Sequence, residues 1–175
     1  MTMVKKSWMA VVAAALLVGT LVGVVWARPH DRPQAQDITR KVTLTGGDFI
    51  PHEEVDNWSN NGDWVRCDIG SCAFTAPVVF PCLPSVTVER IRLHVDDAHG
   101  SAFASVGLFR AQPTNRGDVW LGSASSPPGI VGFQTYNSQP INKRVWPSQK
   151  AYIWLDIGGN NIYVYGVTVE YHRNI

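Results

Sequence analysis

The sequence predicts an all-β protein, an antiparallel β-sandwich or jelly roll, preceded by one N-terminal transmembrane or signal helix. Three observations predict it. Beyond Thr39 the apolar residues recur mainly at every second position, and no segment carries a convincing 3.6-residue period. The 15 Gly and 11 Pro supply turns for many short strands. Ahead of Thr39, one long stretch carries no charge at all.

That stretch, residues 8–27, reads WMAVVAAALLVGTLVGVVWA and follows Lys5 and Lys6. About 20 apolar residues are what a helix needs to cross a bilayer. The preceding lysines place the N-terminus in the cytoplasm and the main domain on the periplasmic or extracellular side. Two fates fit residues 1–27, a cleaved signal peptide or a retained anchor. Cleavage after Ala27 has a small residue where it is needed. Retention is favoured by the length of the run and by Trp8 and Trp26, 18 residues apart, a rise of about 27 Å. Both tryptophans would then sit at the two membrane interfaces, where an apolar ring with one polar N–H is most stable. Ala15, Gly19 and Gly23 recur every fourth residue, a ridge that lets another transmembrane helix approach closely.

Residues 28–39 are polar and contain proline, and they read as a tether. Residues 40–175 form the β domain. Strands are expected at 41–45, 73–80, 86–97, 104–110, 119–123, 132–136, 151–157 and 162–171. Pro77 suits an edge or bent strand. Within 86–97, Val86 and Val88 share one parity while Ile91, Leu93 and Val95 share the other. A bulge near Glu89 and Arg90 would return all five to one face. Gly158, Gly159, Asn160 and Asn161 read as a hairpin turn between two central strands. Ile153, Leu155 and Ile157 then face the core, with Tyr152, Trp154 and Asp156 opposite. In the last strand both parities are partly apolar, so cover on both faces is expected.

Several segments resemble a group of bacterial extracytoplasmic β-sandwich domains. They are APVVFP at 76–81, VER at 88–90, HVDD at 94–97, VGLFR at 106–110, YIWL at 152–155 and VYGVTVEY at 164–171. The resemblance spans about residues 73–171 and implies a fold and a compartment. It implies no activity, cofactor or catalytic residue.

The chain holds 15 Lys and Arg, two of them Lys5 and Lys6, against 14 Asp and Glu. The β domain is therefore close to neutral, which sets nucleic acid aside as a partner and leaves no polybasic lipid-binding patch expected. Outside the cytoplasm Cys67 and Cys72 suit a disulfide across a Gly-containing loop, with pairings to Cys82 left open. His94, Asp96, Asp97 and His99 are the densest set of potential metal ligands. The plainer reading is a strand end whose carboxylates hydrogen-bond a turn. Glu53, Glu54 and Asp56, with Trp58 and Trp64 nearby, raise a glycosidase idea, but adjacent acids in a polar loop are more commonly a hydrated loop. No nucleophile elbow is present. No cofactor and no catalysis are expected. Trp120, Tyr136, Trp146, Tyr152, Trp154, Tyr163 and Tyr165 exceed what a small core needs, so some should be exposed at an interface or a sugar platform.

The leading functional expectation is a non-enzymatic, membrane-anchored accessory subunit. Its helix, through Trp8, Ala15, Gly19, Gly23 and Trp26, would join the bilayer and other transmembrane subunits of a respiratory or photosynthetic type of complex. The alternative is a secreted or cell-surface binding module, for carbohydrate or protein, with a cleaved signal.

Overall fold

A computed structural model describes residues 38–52, 57–81, 85–111 and 117–173. The 8–27 run, Cys82 and the acidic residues 53, 54 and 56 lie outside the described residues. Among the described residues no helix is long and apolar enough to cross a membrane. The described residues form one 3-10 turn, Gly46–Asp48, and twelve strands. These are β1 (Arg40–Thr45), β2 (Ile50–Pro51), β3 (Trp58–Asn60), β4 (Val65–Cys67), β5 (Ser71–Val78), β6 (Val86–Asp97), β7 (Phe103–Ala111), β8 (Val119–Ser125), β9 (Gly132–Asn137), β10 (Lys143–Val145), β11 (Lys150–Gly158) and β12 (Ile162–Arg173).

The strands form two antiparallel sheets. The seven-stranded sheet is built on the long pair β6 and β12. On the free side of β6, β10 and β9 lie end to end, and on the free side of β12, β1 and β4 do the same, with β3 beyond. The five-stranded sheet runs β2-β5-β11-β7-β8. Inward residues of both sheets make one core, including Phe74, Ile91, Leu93, Leu108, Ile153 and Leu155, none with any exposure. Burial of this apolar area is the main stabilising term.

The expected bulge is present at Glu89. Arg90 opposes Glu170 and Val88 opposes Tyr171, so Glu89 is the extra residue. Val86, Val88, Ile91, Leu93 and Val95 all reach the core as a result. Pro77 lies past the end of β2, which reaches only Phe74 and Thr75, so its missing N–H costs no ladder bond on that side.

The hairpin expectation requires correction. β11 and β12 lie in different sheets, and the turn between them crosses the sandwich. β11 is already flanked along its length by β5 and β7, which leaves no edge for β12. Gly159 and Asn161 do take positive φ, +92° and +67°, as residues of a tight turn can. Its N–H and C=O groups bond across to Gly70 and Ala98.

β12 is covered on both faces from Gly166 to Tyr171. Val167, Val169 and Tyr171 enter the core, while Thr168 and Glu170 are buried on the outer side. There Arg92 and Lys41 reach the Glu170 carboxylate at 2.8 and 3.4 Å. Burial pushes this carboxyl up, but the hydrogen bonds and charges of Arg92 and Lys41 outweigh burial and hold it below the usual range. A depressed folded pKa gives stability that is present above the unfolded pKa and lost as pH falls through the folded one. We therefore expect Glu170→Gln to be less stable at neutral pH and to show a flatter acid-denaturation curve. Thermal melts at stepped pH below about 5 measure this, and parallel curves for the two proteins would count against it.

Candidate functional site

Strand alternation sends Tyr152, Trp154 and Asp156 of β11 to the outer face of the five-stranded sheet. Register sets what surrounds them. Trp154 lies between Thr75 of β5 and Gly107 of β7, and Tyr152 lies between Pro77 and Phe109. The indole at the middle position is half-buried, with the Phe109 ring lying over the neighbouring Gly107. His52, just beyond β2, packs its ring against it at 4.3 Å between centroids. The pair forms a ridge, with an open depression on each side.

The larger depression, about 610 Å³, lies between the ridge and Phe103, and Ser71, Ser105 and Asp156 also line it. Phe103 is 47% exposed. A Cβ at Gly158 would collide with the Phe103 ring, so glycine is what lets this ring lie on β11. The smaller depression, about 460 Å³, is lined by Ile50, Thr75, Pro77, Asp118 and Tyr152 beside the same ridge. Phe109 stacks on Tyr152 with centroids 5.5 Å apart and planes 14° from parallel.

Each depression holds one carboxylate tied to an aromatic donor. Trp154 Nε1–H donates to Asp156 Oδ1 at 2.8 Å, and the Tyr152 hydroxyl donates to Asp118 Oδ2 at 2.5 Å. A carboxylate has about four lone-pair sites, so each keeps acceptor capacity facing solvent. Burial and the adjacent Asp118 charge, which would oppose a phenolate, push the Tyr152 hydroxyl up to about 12. It therefore stays a donor throughout the physiological range. A raised folded pKa contributes stability that is present below the unfolded pKa and lost as pH rises through the folded value. Asp118→Asn is expected to bring the Tyr152 titration back toward that of a free phenol, as followed by NMR of labelled tyrosine. An unmoved titration would mean that Asp118 does not set it.

Cys67 and Cys72 are joined by a disulfide with Cα atoms 5.6 Å apart. The sequence suggests a loop for both, whereas they sit on β4 and β5. Because those strands belong to different sheets, the bond ties the sheets together at a corner and holds Ser71 and Ala73 at the wall of the larger depression.

The remaining sequence candidates sit elsewhere. His94 contacts Thr135 and Thr168 hydroxyls through its two ring nitrogens, at 3.0 and 3.1 Å. Asp97 Oδ1 accepts from the backbone N–H of His99 and Gly100, which is the turn-bonding role. Among the described residues no group of His, Cys, Asp and Glu is placed to hold a metal ion. Trp58 packs edge-on against Phe74, and Trp64 against Tyr163 beside the Arg66 guanidinium. Neither lines the two depressions beside the ridge. Trp120, Trp146 and Tyr165 are exposed, at 57%, 47% and 38%, while Tyr136 packs against the core. Trp8, Ala15, Gly19, Gly23 and Trp26 lie outside the described residues. His52, Phe103, Phe109 and Asp118 were not singled out from sequence. Phe103 and Phe109 carried a signal there, by sharing parity with the small residues Ser105 and Gly107 of their strand.

No protein-family model matches the sequence, and no curated protein does. Several solved structures are similar to it at low identity. One is a xylan-binding module, CBM15, at 11% identity over 79% of this chain and 99% of that one, with a TM-score of 0.46. A family two carbohydrate esterase from Cellvibrio japonicus is 10% identical with a TM-score of 0.42; 77% of this chain and 35% of that chain are covered. CsCBM6-3 from Clostridium stercorarium in complex with cellobiose is 11% identical over 71% of this chain and 90% of that one, with a TM-score of 0.33. The chain thus spans about a third of the esterase's length. The strand pairing itself defines the two sheets.

What the sheet face offers a ligand is specific in kind. It presents flat apolar rings at three places along β11, over Gly158, at Trp154 and at Tyr152. From residue 152 to 158 this covers about 20 Å at 3.4 Å per residue. Between the rings stand acceptors and hydroxyls, with Lys150 the one β11 cation, at the strand's start.

Proposed function

We propose that the domain is a non-catalytic binding module that takes a neutral oligosaccharide along the outer face of the five-stranded sheet. The observation that carries this is the Trp154–His52 ridge between two depressions, each with a carboxylate anchored by an aromatic donor. A sugar ring has an apolar C–H face and a rim of hydroxyl donors. The face packs on an indole or phenol ring, and the rim donates to acceptor oxygens left unfilled. Asp118 and Asp156 would repel uronate or sulfate groups across the same short distances. Two depressions in line favour a chain of sugars over a single one.

In this reading the protein works outside the cytoplasm, where the Cys67–Cys72 bond persists, and residues 1–27 export or anchor it. The sheet face favours the binding-module expectation over the complex-subunit one, whose carrying residues lie outside the described part. Affinity electrophoresis through soluble polysaccharides tests the proposal. Neutral glucans, xylans, mannans or galactans should retard the protein, and polygalacturonate should not. Retardation by none of the neutral polymers, or by the acidic one equally, would overturn it. Release of reducing sugar ends would make the site an enzyme's.

A further inference from the structure

A second surface stands at the end of the sandwich where the chain enters. Register brings several strand termini together there. Arg40 opposes Tyr171, Arg173 opposes Val86, and Val86 opposes Val145. In the other sheet Lys150 opposes Ala111, and Ala151 opposes Val78. This end carries Arg40, Arg110, Lys143, Arg144, Lys150 and Arg173, all but Arg110 exposed. Two of them join the sheets, since Arg110 Nη1 donates to the Arg144 carbonyl at 2.9 Å and the Arg144 guanidinium lies 4.1 Å over the Trp146 ring.

Inside this basic rim the surface is apolar. Val79 is 73% exposed and Trp146 47%. With Phe80 and Pro147 they line a depression of about 520 Å³. Among the described residues the acids at this end are engaged. Glu89 pairs with His172, Asp118 accepts from Tyr152, and Glu170 holds Arg92 and Lys41. The opposite end carries Asp96 and Asp97, and Asp68 paired with Arg66. Overall neutrality therefore conceals a separation of charge along the sandwich.

We propose that this end docks on the surface of an anionic bilayer. Basic side chains gain from negative headgroups, while an exposed Trp and Val enter the boundary between headgroup and acyl chain. The chain itself points to a bilayer over another polyanion. It reaches the domain at Ile38, 63% exposed, shortly after the uncharged 8–27 run ends. Docking by this end leaves the outer face of the five-stranded sheet, which runs alongside it, open to ligand. The inference stands independently of the carbohydrate reading.

Hydrogen–deuterium exchange of the full chain tests it, in phosphatidylcholine vesicles with and without phosphatidylglycerol. Phosphatidylglycerol should slow exchange at residues 79–80 and 146–150 and leave the far turns at 98–100 and 159–161 unchanged. Added salt should reverse the slowing. Each basic residue near such a surface contributes about a fivefold factor. Lys143→Glu with Lys150→Glu, both exposed, should thus remove most of the protection while thermal melts confirm the fold. Equal protection in both vesicles, protection at both ends, or the same protection from inorganic phosphate or duplex DNA would overturn the proposal.

Discussion

Leu155→Ala is expected to destabilise the domain by about 2–5 kcal/mol, the range for removing a large side chain from a packed core. Leu155 has no solvent exposure. It sits on the central strand of the five-stranded sheet, opposite Phe74 on one side and Val106 on the other. Neighbours on both flanks are pinned by full-length pairing, so the sheet has little freedom to close over the lost volume. The upper half of the range is therefore the better guide. Thermal or urea unfolding measures the loss, and the fraction still folded should bind glycan as the parent does. A change below about 1 kcal/mol would mean that the core at this point tolerates a cavity, against the packing described.

Alternation along β11 made much of this legible in the sequence. Ile153, Leu155 and Ile157 face inward and Tyr152, Trp154 and Asp156 outward, as the period of two requires. The Glu89 bulge was legible for a related reason, because apolar residues that change parity inside one continuous strand can share a face only if one residue is extra. Limits appear where information is not local. Gly159 and Asn161 announce a tight turn, yet turn chemistry is the same whether the flanking strands pair or part. Only the occupation of both β11 edges decides it, and β5 and β7 come from distant positions. β2, β3, β4 and β10 have two or three residues each, too few for any period to register.

The candidate site divides in the same way. Tyr152 and Trp154 could be picked out as aromatics on the polar face of a strand. His52 and Asp118 could not, since they reach the site from beyond β2 and from just before β8. Asp118 is 34 residues from Tyr152 in sequence, and only the register of three strands, β8, β7 and β11, brings the two together. The basic end escaped notice for another reason. Net charge sums over the whole chain, and a sum near zero hides a separation of charge that strand direction creates.

Trp154→Ala should weaken glycan binding at least about 30-fold, or roughly 2 kcal/mol, the scale of an anchoring aromatic residue. The indole is shared by both depressions, so its loss removes a wall from each. It also releases His52 from its ring contact and Asp156 from the N–H that fixes its direction. Stability should change little, because the side chain is half-buried on the outer face and Asp156 can turn to water. Trp154→Phe separates the two contributions. It keeps an apolar ring but deletes the donor, and a lost hydrogen bond of about 1 kcal/mol predicts a loss near fivefold. Titration calorimetry on whichever neutral polysaccharide retards the parent protein would read both values, beside melts of each variant. If Trp154→Ala bound like the parent while remaining folded, the ridge would be ornament to some other site. If Trp154→Phe bound like the parent, ring stacking would carry the contact and the Asp156 link would be incidental. The expected order, with Phe between Trp and Ala, follows only if ring and carboxylate act on the same sugar.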